Sequence, residues 1–173
     1  MTFDPGPLGD ARVVPADAGW TLIFVRELPH PPGVVWQALT DPAELDQWAP
    51  FAADRDLGTP GAATLTMVDG ATRRPLPATV RQAREPELLE YAWGDELLRW
   101  ELAATAGGTR LTLRHTLAQQ PGQDAKIAAG WHLCLAVLAR LLDGDPVGVI
   151  RGQAALEHGW EQLRAGYAER FAG

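Results

Sequence analysis

One histidine occupies a position from which an imidazole can do chemistry. His115 alternates with Leu111, Leu113 and Leu117 along a strand-like run, which places it on the apolar face of that strand. A buried imidazole needs a hydrogen-bond partner, and histidine titrates near neutral pH. The position therefore predicts either a core histidine bonded to a backbone carbonyl, or a donor or general base that reaches a ligand oxygen. Tyr91, on a neighbouring strand candidate with compatible parity, would supply a second polar group.

Several other kinds of site are excluded by residues that the sequence lacks. It contains no Ser and no Asn, which excludes a serine nucleophile with its triad and the catalytic Asn of protein kinases. The single Lys, Lys126, precedes Ile127, so no phosphate-binding loop ending in Lys-Ser or Lys-Thr exists. The His residues show no metal-binding spacing, and Cys134 is expected to pack as an inert thiol. We expect neither a metal nor a cofactor.

Charge and composition narrow the class of partner. The 173 residues carry 15 basic and 22 acidic side chains, for a net charge of −7, and the basic residues are scattered. This pattern predicts no nucleic-acid binding, because phosphate backbones repel an acidic surface. We see no N-terminal signal segment and no apolar run near the roughly 20 residues of a membrane span. Together with the single Cys, this predicts a cytoplasmic protein that does not bind membranes.

Turn residues and periodic segments predict one α+β domain. The first 19 residues are rich in Pro and Gly and are expected to form an N-terminal arm, followed by a single domain over residues 20–173. A strand over residues 20–28 leads into two short helices, and Asp41 is the expected N-cap of the second. Five further strand candidates joined by short turns predict an antiparallel meander.

The C-terminal part of the chain predicts helices. Apolar residues recur with a 3.6-residue period over about residues 124–142, which gives a helix about 28 Å long, enough to cross a sheet. Its other face carries small residues and His132. Either a second copy of the chain, in a homodimer, or the helical extension over about residues 150–171 is expected to cover that face.

Four sequence segments in this order resemble a known family. Residues 31–48 (PPGVVWQALTDPAELDQW) are similar to the opening motif of the SRPBCC or START-like superfamily. Residues 84–93 (REPELLEYAW), 108–115 (GTRLTLRH) and 130–132 (GWH) resemble the branch named after the activator of heat-shock protein 90 ATPase. The similarity runs from about Trp20 to Leu142.

The resemblance implies a fold and a range of functions. The fold is the helix-grip arrangement, a curved antiparallel sheet wrapped around a long C-terminal helix, with two short helices after the first strand. It also implies a cavity between sheet and helix. Relatives include lipid carriers, polyketide cyclases and aromatases, and the co-chaperone domain itself, so the family alone does not fix the chemistry.

Inward-facing aromatic residues predict the lining of that cavity. Such rings either fill the core or line a pocket for a flat apolar ligand. The expected function is a non-enzymatic protein that binds a small hydrophobic or aromatic molecule. The predicted lining comprises Trp36, Trp48, Tyr91, Trp93, Trp100, His115, Trp131 and Leu138.

Two other functions stay open at this point. The first is an enzyme resembling the polyketide cyclases and aromatases, in which His115 and Tyr91 would act as acid and base. The second is a protein that contacts a chaperone, which the name of the family implies. A cavity whose only polar groups were bonded to backbone would count against the enzyme.

Overall fold

An eight-stranded antiparallel sheet forms the body of the described part of the chain. The structure, a computed structural model, describes residues 3–17, 19–118 and 123–172. Together with a long C-terminal helix and short helices after the second strand, the sheet confirms the predicted α+β class. In spatial order the strands run β1-β2-β8-β7-β6-β5-β4-β3. Their bounds are β1 Asp10–Ala16, β2 Gly19–Leu28, β3 Phe51–Ala53, β4 Gly61–Asp69, β5 Thr72–Arg84, β6 Leu88–Trp93, β7 Glu96–Thr105 and β8 Gly108–Leu117.

Local sequence sets where the helices begin. Pro32 opens α1, since a proline in the first turn forfeits no helical hydrogen bond. The Asp41 carboxylate accepts from Ala43 N at 2.9 Å, which confirms it as the N-cap of α2. The bounds are α1 Pro32–Thr40, α2 Pro42–Leu45, α3 Asp124–Leu142, a 3₁₀ helix Gly152–His158 and α4 Trp160–Ala172.

Helix α3 lies between the sheet and α4. Its sheet-facing residues, among them Trp131 and Leu138, belong to the main hydrophobic core. On its other face the His132 ring lies against Tyr167 of α4, and both are buried. The C-terminal extension therefore covers the small-residue face. By length and composition α3 would pass for a membrane-spanning helix, but most of it is buried inside the protein, as in the core helix of a globular domain.

The prediction of an N-terminal arm over residues 1–19 is wrong for residues 10–16. These residues form β1, which pairs with β2 from Asp10↔Val25 to Ala16↔Gly19. Pro15 suggested a break in structure. A proline is tolerated in an edge strand, because the side of that strand that faces solvent needs no backbone N–H for a ladder hydrogen bond. Residues 1, 2 and 18 of the predicted arm, and residues 119–122 and 173 of the predicted domain, lie outside the described residues.

Candidate functional site

A cleft of about 930 Å³ lies between one end of the sheet and α3. One wall comes from the β4–β5 hairpin, and the floor comes from the β6–β7 turn, β8 and the first half of α3. The segment between α3 and α4 forms the remaining wall. Its principal lining residues are Met67, Asp69, Arg74, Leu76, Trp93, Asp95, Glu96, His115, Ile127, Gly130, Trp131, Cys134, Ile150, Arg151, Gln153 and Trp160.

A two-residue turn places two lining residues side by side. Gly94 and Asp95 join β6 to β7, and Gly94 has a φ of 60°. Glycine is favoured at the first central position of such a hairpin because that position needs a positive φ. The turn makes Trp93 and Glu96 the last cross-strand pair of the hairpin, so an indole ring and a carboxylate enter the cleft together.

A chain of hydrogen bonds runs along the cleft floor from α3 to β7. The indole Nε1–H of Trp131 donates to His115 Nδ1 at 2.9 Å. Because an indole nitrogen can only donate, Nδ1 must be the accepting nitrogen and the ring hydrogen sits on Nε2. His115 Nε2 then donates to Glu96 Oε1 at 2.5 Å. His115 itself is only 2% exposed, so its partners hold one orientation of the ring.

Glu96 was not among the predicted site residues, although the sequence contained a signal for it. It has the same parity along β7 as Leu98 and Trp100, both of which are buried. Leu98 pairs directly with His115, so Glu96 is the diagonal neighbour of that histidine across the two strands. A carboxylate on the inward face of a strand is unusual, and Glu96 could have been predicted as a site residue on that ground alone.

The structure brings three of the eight predicted lining residues to the cleft. Trp93, His115 and Trp131 lie on its surface. The other five are buried in the core and do not line it: Trp36, Trp48, Tyr91, Trp100 and Leu138.

The remaining aromatic residues pack on one another. The Trp100 ring meets Trp48 edge-on, with centroids 5.9 Å apart, and Trp131 with centroids 5.5 Å apart. Trp100 Nε1 donates to the hydroxyl of Tyr91 at 3.1 Å, and Trp48 Nε1 donates to the Ala38 carbonyl at 2.9 Å. With their polar atoms engaged, these rings fill the core.

Tyr91 and His115 do not form a pair. The β-ladder register puts Leu98 between them, so they are two strands apart. Burial raises the pKa of Tyr91, and its hydroxyl is engaged with Trp100 rather than with the cleft. The acid–base couple considered for an enzyme is therefore not assembled in this structure.

The wall between α3 and α4 is fastened at two points. The Arg151 guanidinium donates to the carbonyls of Ala49 and Phe51, at 2.7 and 3.0 Å. The Asp69 carboxylate, at the end of β4, accepts from Gln153 N at 3.2 Å. These contacts join the segment to the α2–β3 connection and the start of β3 on one side, and to the β4–β5 hairpin on the other.

Cys134 lines the cleft but is a poor nucleophile. Burial raises the pKa of its thiol to about 12, with a smaller opposing effect from Arg151. At neutral pH almost no thiolate is present. No group of three or more His, Cys, Asp or Glu side chains that could hold a metal occurs within the described ranges.

Comparison with known proteins identifies the family. The sequence profile described as Activator of Hsp90 ATPase homolog 1-like protein matches residues 29–143, about two-thirds of the chain. The chain belongs to this family. Of the cleft, the matched residues supply the β4–β5 hairpin, the β6–β7 turn, His115 and Trp131. The segment between α3 and α4, and α4 itself, lie outside the residues that the profile matches.

Solved structures share the fold of this Activator of Hsp90 ATPase homolog 1-like chain. A conserved protein of unknown function from Enterococcus faecalis is similar with a TM-score of 0.71 at 18% identity, covering 93% of this chain and 90% of its own. CalU16 from Micromonospora echinospora is similar with a TM-score of 0.66 at 20% identity, covering 92% of each chain. The AHSA1 protein from Silicibacter pomeroyi is similar with a TM-score of 0.60 at 21% identity, covering 71% of this chain and 97% of its own. No curated protein matches.

Proposed function

We propose that the protein binds a small hydrophobic molecule with an aromatic ring in the cleft beside Trp93 and Trp131. The observation that carries this proposal is the combination of volume and lining. The cleft measures about 930 Å³, and its floor consists of two indole rings next to the His115–Glu96 pair. Ligand sites are commonly concave, of about 300–1,000 Å³, with an apolar aromatic lining and few polar groups.

A glycine in the middle of α3 supports the proposal. Gly130 faces the cleft, and a Cβ added there would meet no atom of the described residues within 4 Å. Packing does not require the glycine, which costs a helix about 0.5–1 kcal/mol relative to alanine. The missing side chain leaves open volume on the floor, as a binding site would need.

An unsatisfied donor points in the same direction. The indole Nε1 of Trp93 is buried and has no acceptor among the residues that the structure describes. Native proteins leave few buried donors unpaired, and those that remain need a reason other than stability. This unpaired donor belongs to a ring of the cleft floor, so the proposed site carries a cost in stability that packing alone does not explain.

The proposal is tested with a fluorescent apolar probe and a variant that fills the cleft. N-phenyl-1-naphthylamine is titrated into the wild type, Gly130→Phe and Gly33→Phe. The phenyl ring at position 130 enters the cleft, whereas the same ring at position 33 lies on the exposed start of α1, where a Cβ also meets no atom within 4 Å. We expect the wild type and Gly33→Phe to bind the probe with equal affinity, and Gly130→Phe to bind it at least tenfold more weakly.

Two results would count against the proposal. Absence of probe binding to the wild type would remove the cleft as an apolar site. Equal binding by the wild type and Gly130→Phe would place the probe elsewhere on the protein. Native mass spectrometry of the gently purified protein is the complementary measurement, since a retained ligand appears as an added mass of a few hundred daltons.

A further inference from the structure

The second carboxylate oxygen of Glu96 is available to a ligand at the polar end of the cleft. Glu96 Oε1 accepts from His115, whereas Oε2 has no hydrogen-bond partner in the described part of the chain. The Glu96 side chain lines the cleft and is 37% exposed, so a bound molecule can reach its second oxygen.

The direction of the hydrogen-bond chain determines what this oxygen can recognise. Trp131 donates to His115, and His115 donates to Glu96, so the carboxylate is the terminal acceptor. An ionised carboxylate has no hydrogen to give, and its remaining capacity is to accept. A ligand that approaches Oε2 must therefore bring an O–H or N–H donor, and hydrogen bonds to an ionised acceptor are the stronger kind.

The charges around the cleft favour the same class of ligand. Its lining contains three carboxylates, Asp69, Asp95 and Glu96, against two guanidinium groups. Arg151 is engaged with the backbone carbonyls of Ala49 and Phe51, and Arg74 is exposed to solvent. A carboxylate-bearing ligand would meet net repulsion at the floor, whereas a neutral or cationic donor would not.

We propose that Glu96, oriented by His115 and Trp131, is the specificity-determining residue of the cleft and selects aromatic molecules that carry a hydroxyl or amino donor. This inference rests on the proposed binding function and deepens it, because it names the chemical group that the ligand must present. The hydrocarbon part of the ligand lies against Trp93 and Trp131, and its donor points to Glu96 Oε2.

The test uses two probes that differ in one donor. Dissociation constants of 2-naphthol, which has a hydroxyl donor, and 2-methoxynaphthalene, which has none, are measured by equilibrium dialysis. The ratio of the two constants is then compared between the wild type, Glu96→Gln and Glu87→Gln. Comparing ratios between variants cancels the difference in hydrophobicity between the probes. Glu87→Gln is the matched control, since it makes the same carboxylate-to-amide change at an exposed residue of the β5–β6 turn that does not line the cleft.

Glu96→Gln reverses the polarity of the site without removing its hydrogen bond to His115. The histidine Nε2–H can still donate to the new amide oxygen, which leaves the amide NH₂ group toward the cleft. We expect the preference for 2-naphthol to fall about tenfold in Glu96→Gln and to stay within twofold of the wild type in Glu87→Gln.

The outcomes separate this inference from the binding function on which it rests. If both naphthalenes bind and Glu96→Gln leaves the ratio unchanged, the cleft binds aromatic molecules but Glu96 does not select them. Tighter binding of 2-naphthoate than of 2-naphthol would also overturn the inference and would assign recognition to Arg74. If neither compound nor N-phenyl-1-naphthylamine binds the wild type, the binding function fails and the inference fails with it.

Discussion

Trp131 Nε1 lies 2.9 Å from His115 Nδ1, so a buried hydrogen bond joins helix α3 to strand β8, both of which line the cleft. The bond fixes the ring of an imidazole that is 2% exposed and directs its other nitrogen to Glu96. Among the described residues, this buried histidine thus has two side-chain partners and no bond to the backbone. The imidazole therefore connects the core to the cleft.

Trp131→Phe tests the contribution of this bond. The variant keeps an aromatic ring but leaves His115 Nδ1 without a donor, and an unsatisfied buried acceptor costs about 1–3 kcal/mol. We expect urea denaturation to show a free energy of unfolding lowered by about 2–4 kcal/mol once lost packing is included. Trp20→Phe is the control, because Trp20 is only half-buried and its indole donates no bond within the described residues. Equal losses in the two variants would mean that the bond contributes nothing.

Gly130→Ala is expected to stabilise the protein. The residue lies inside α3, and the added Cβ meets no atom within 4 Å, so the substitution introduces no clash. Alanine restricts the unfolded chain more than glycine does, which favours the helix by about 0.5–1 kcal/mol. Thermal unfolding should show a melting temperature raised by about 1–4 °C. A lowered melting temperature would indicate that the glycine is needed for backbone packing.

The stability of the protein is expected to fall in mild acid because of His132. The Tyr167 hydroxyl lies 2.6 Å from His132 Nδ1, and Nε2 lies 2.8 Å from the Pro5 carbonyl. Burial lowers the pKa of His132, an effect that the Pro5 carbonyl opposes in part and Arg26 reinforces. The unfolded chain, with a pKa of about 6.5 at this residue, then binds more protons than the folded chain.

The sign of the effect follows from this difference in proton binding. The contribution of His132 is complete above about pH 6.5 and is lost as pH falls toward the lowered folded-state pKa. His132→Gln retains an acceptor for Tyr167 and a donor for Pro5 but does not titrate. Urea unfolding is measured at several pH values from 8 to 5. The free energy of unfolding should change less with pH in this variant than in the wild type. The same pH dependence of the free energy of unfolding in both proteins would contradict the prediction.

The limits of sequence reasoning show at particular residues. Alternation correctly placed Trp100 and Tyr91 on the inner face of the sheet. It could not show that they contact each other instead of a cavity, since that depends on where α3 crosses the sheet. The inward parity of Glu96 was a usable signal, but Glu96 stands beside a turn, where polar residues are common, and it was not predicted. Strand β3, of three residues, is too short to show a period, and β1 was obscured by Pro15.

Cys134 is expected to resist alkylation in the native protein although it lines the cleft. Burial raises the pKa of its thiol to about 12, so the thiolate fraction at pH 8 is about a thousandfold smaller than for an unburied cysteine. Because the thiolate is the nucleophile, native protein should react with iodoacetamide at least a hundredfold more slowly than protein in 6 M urea, about the concentration needed to unfold it. Mass spectrometry of timed samples measures both rates, and the sequence's single cysteine makes the modified site unambiguous. Comparable rates would show that the thiol is more exposed, and the cleft floor more open, than the packing of α3 indicates. Cys134→Ala provides the blank for both measurements, since it removes the only thiol and should show no added mass.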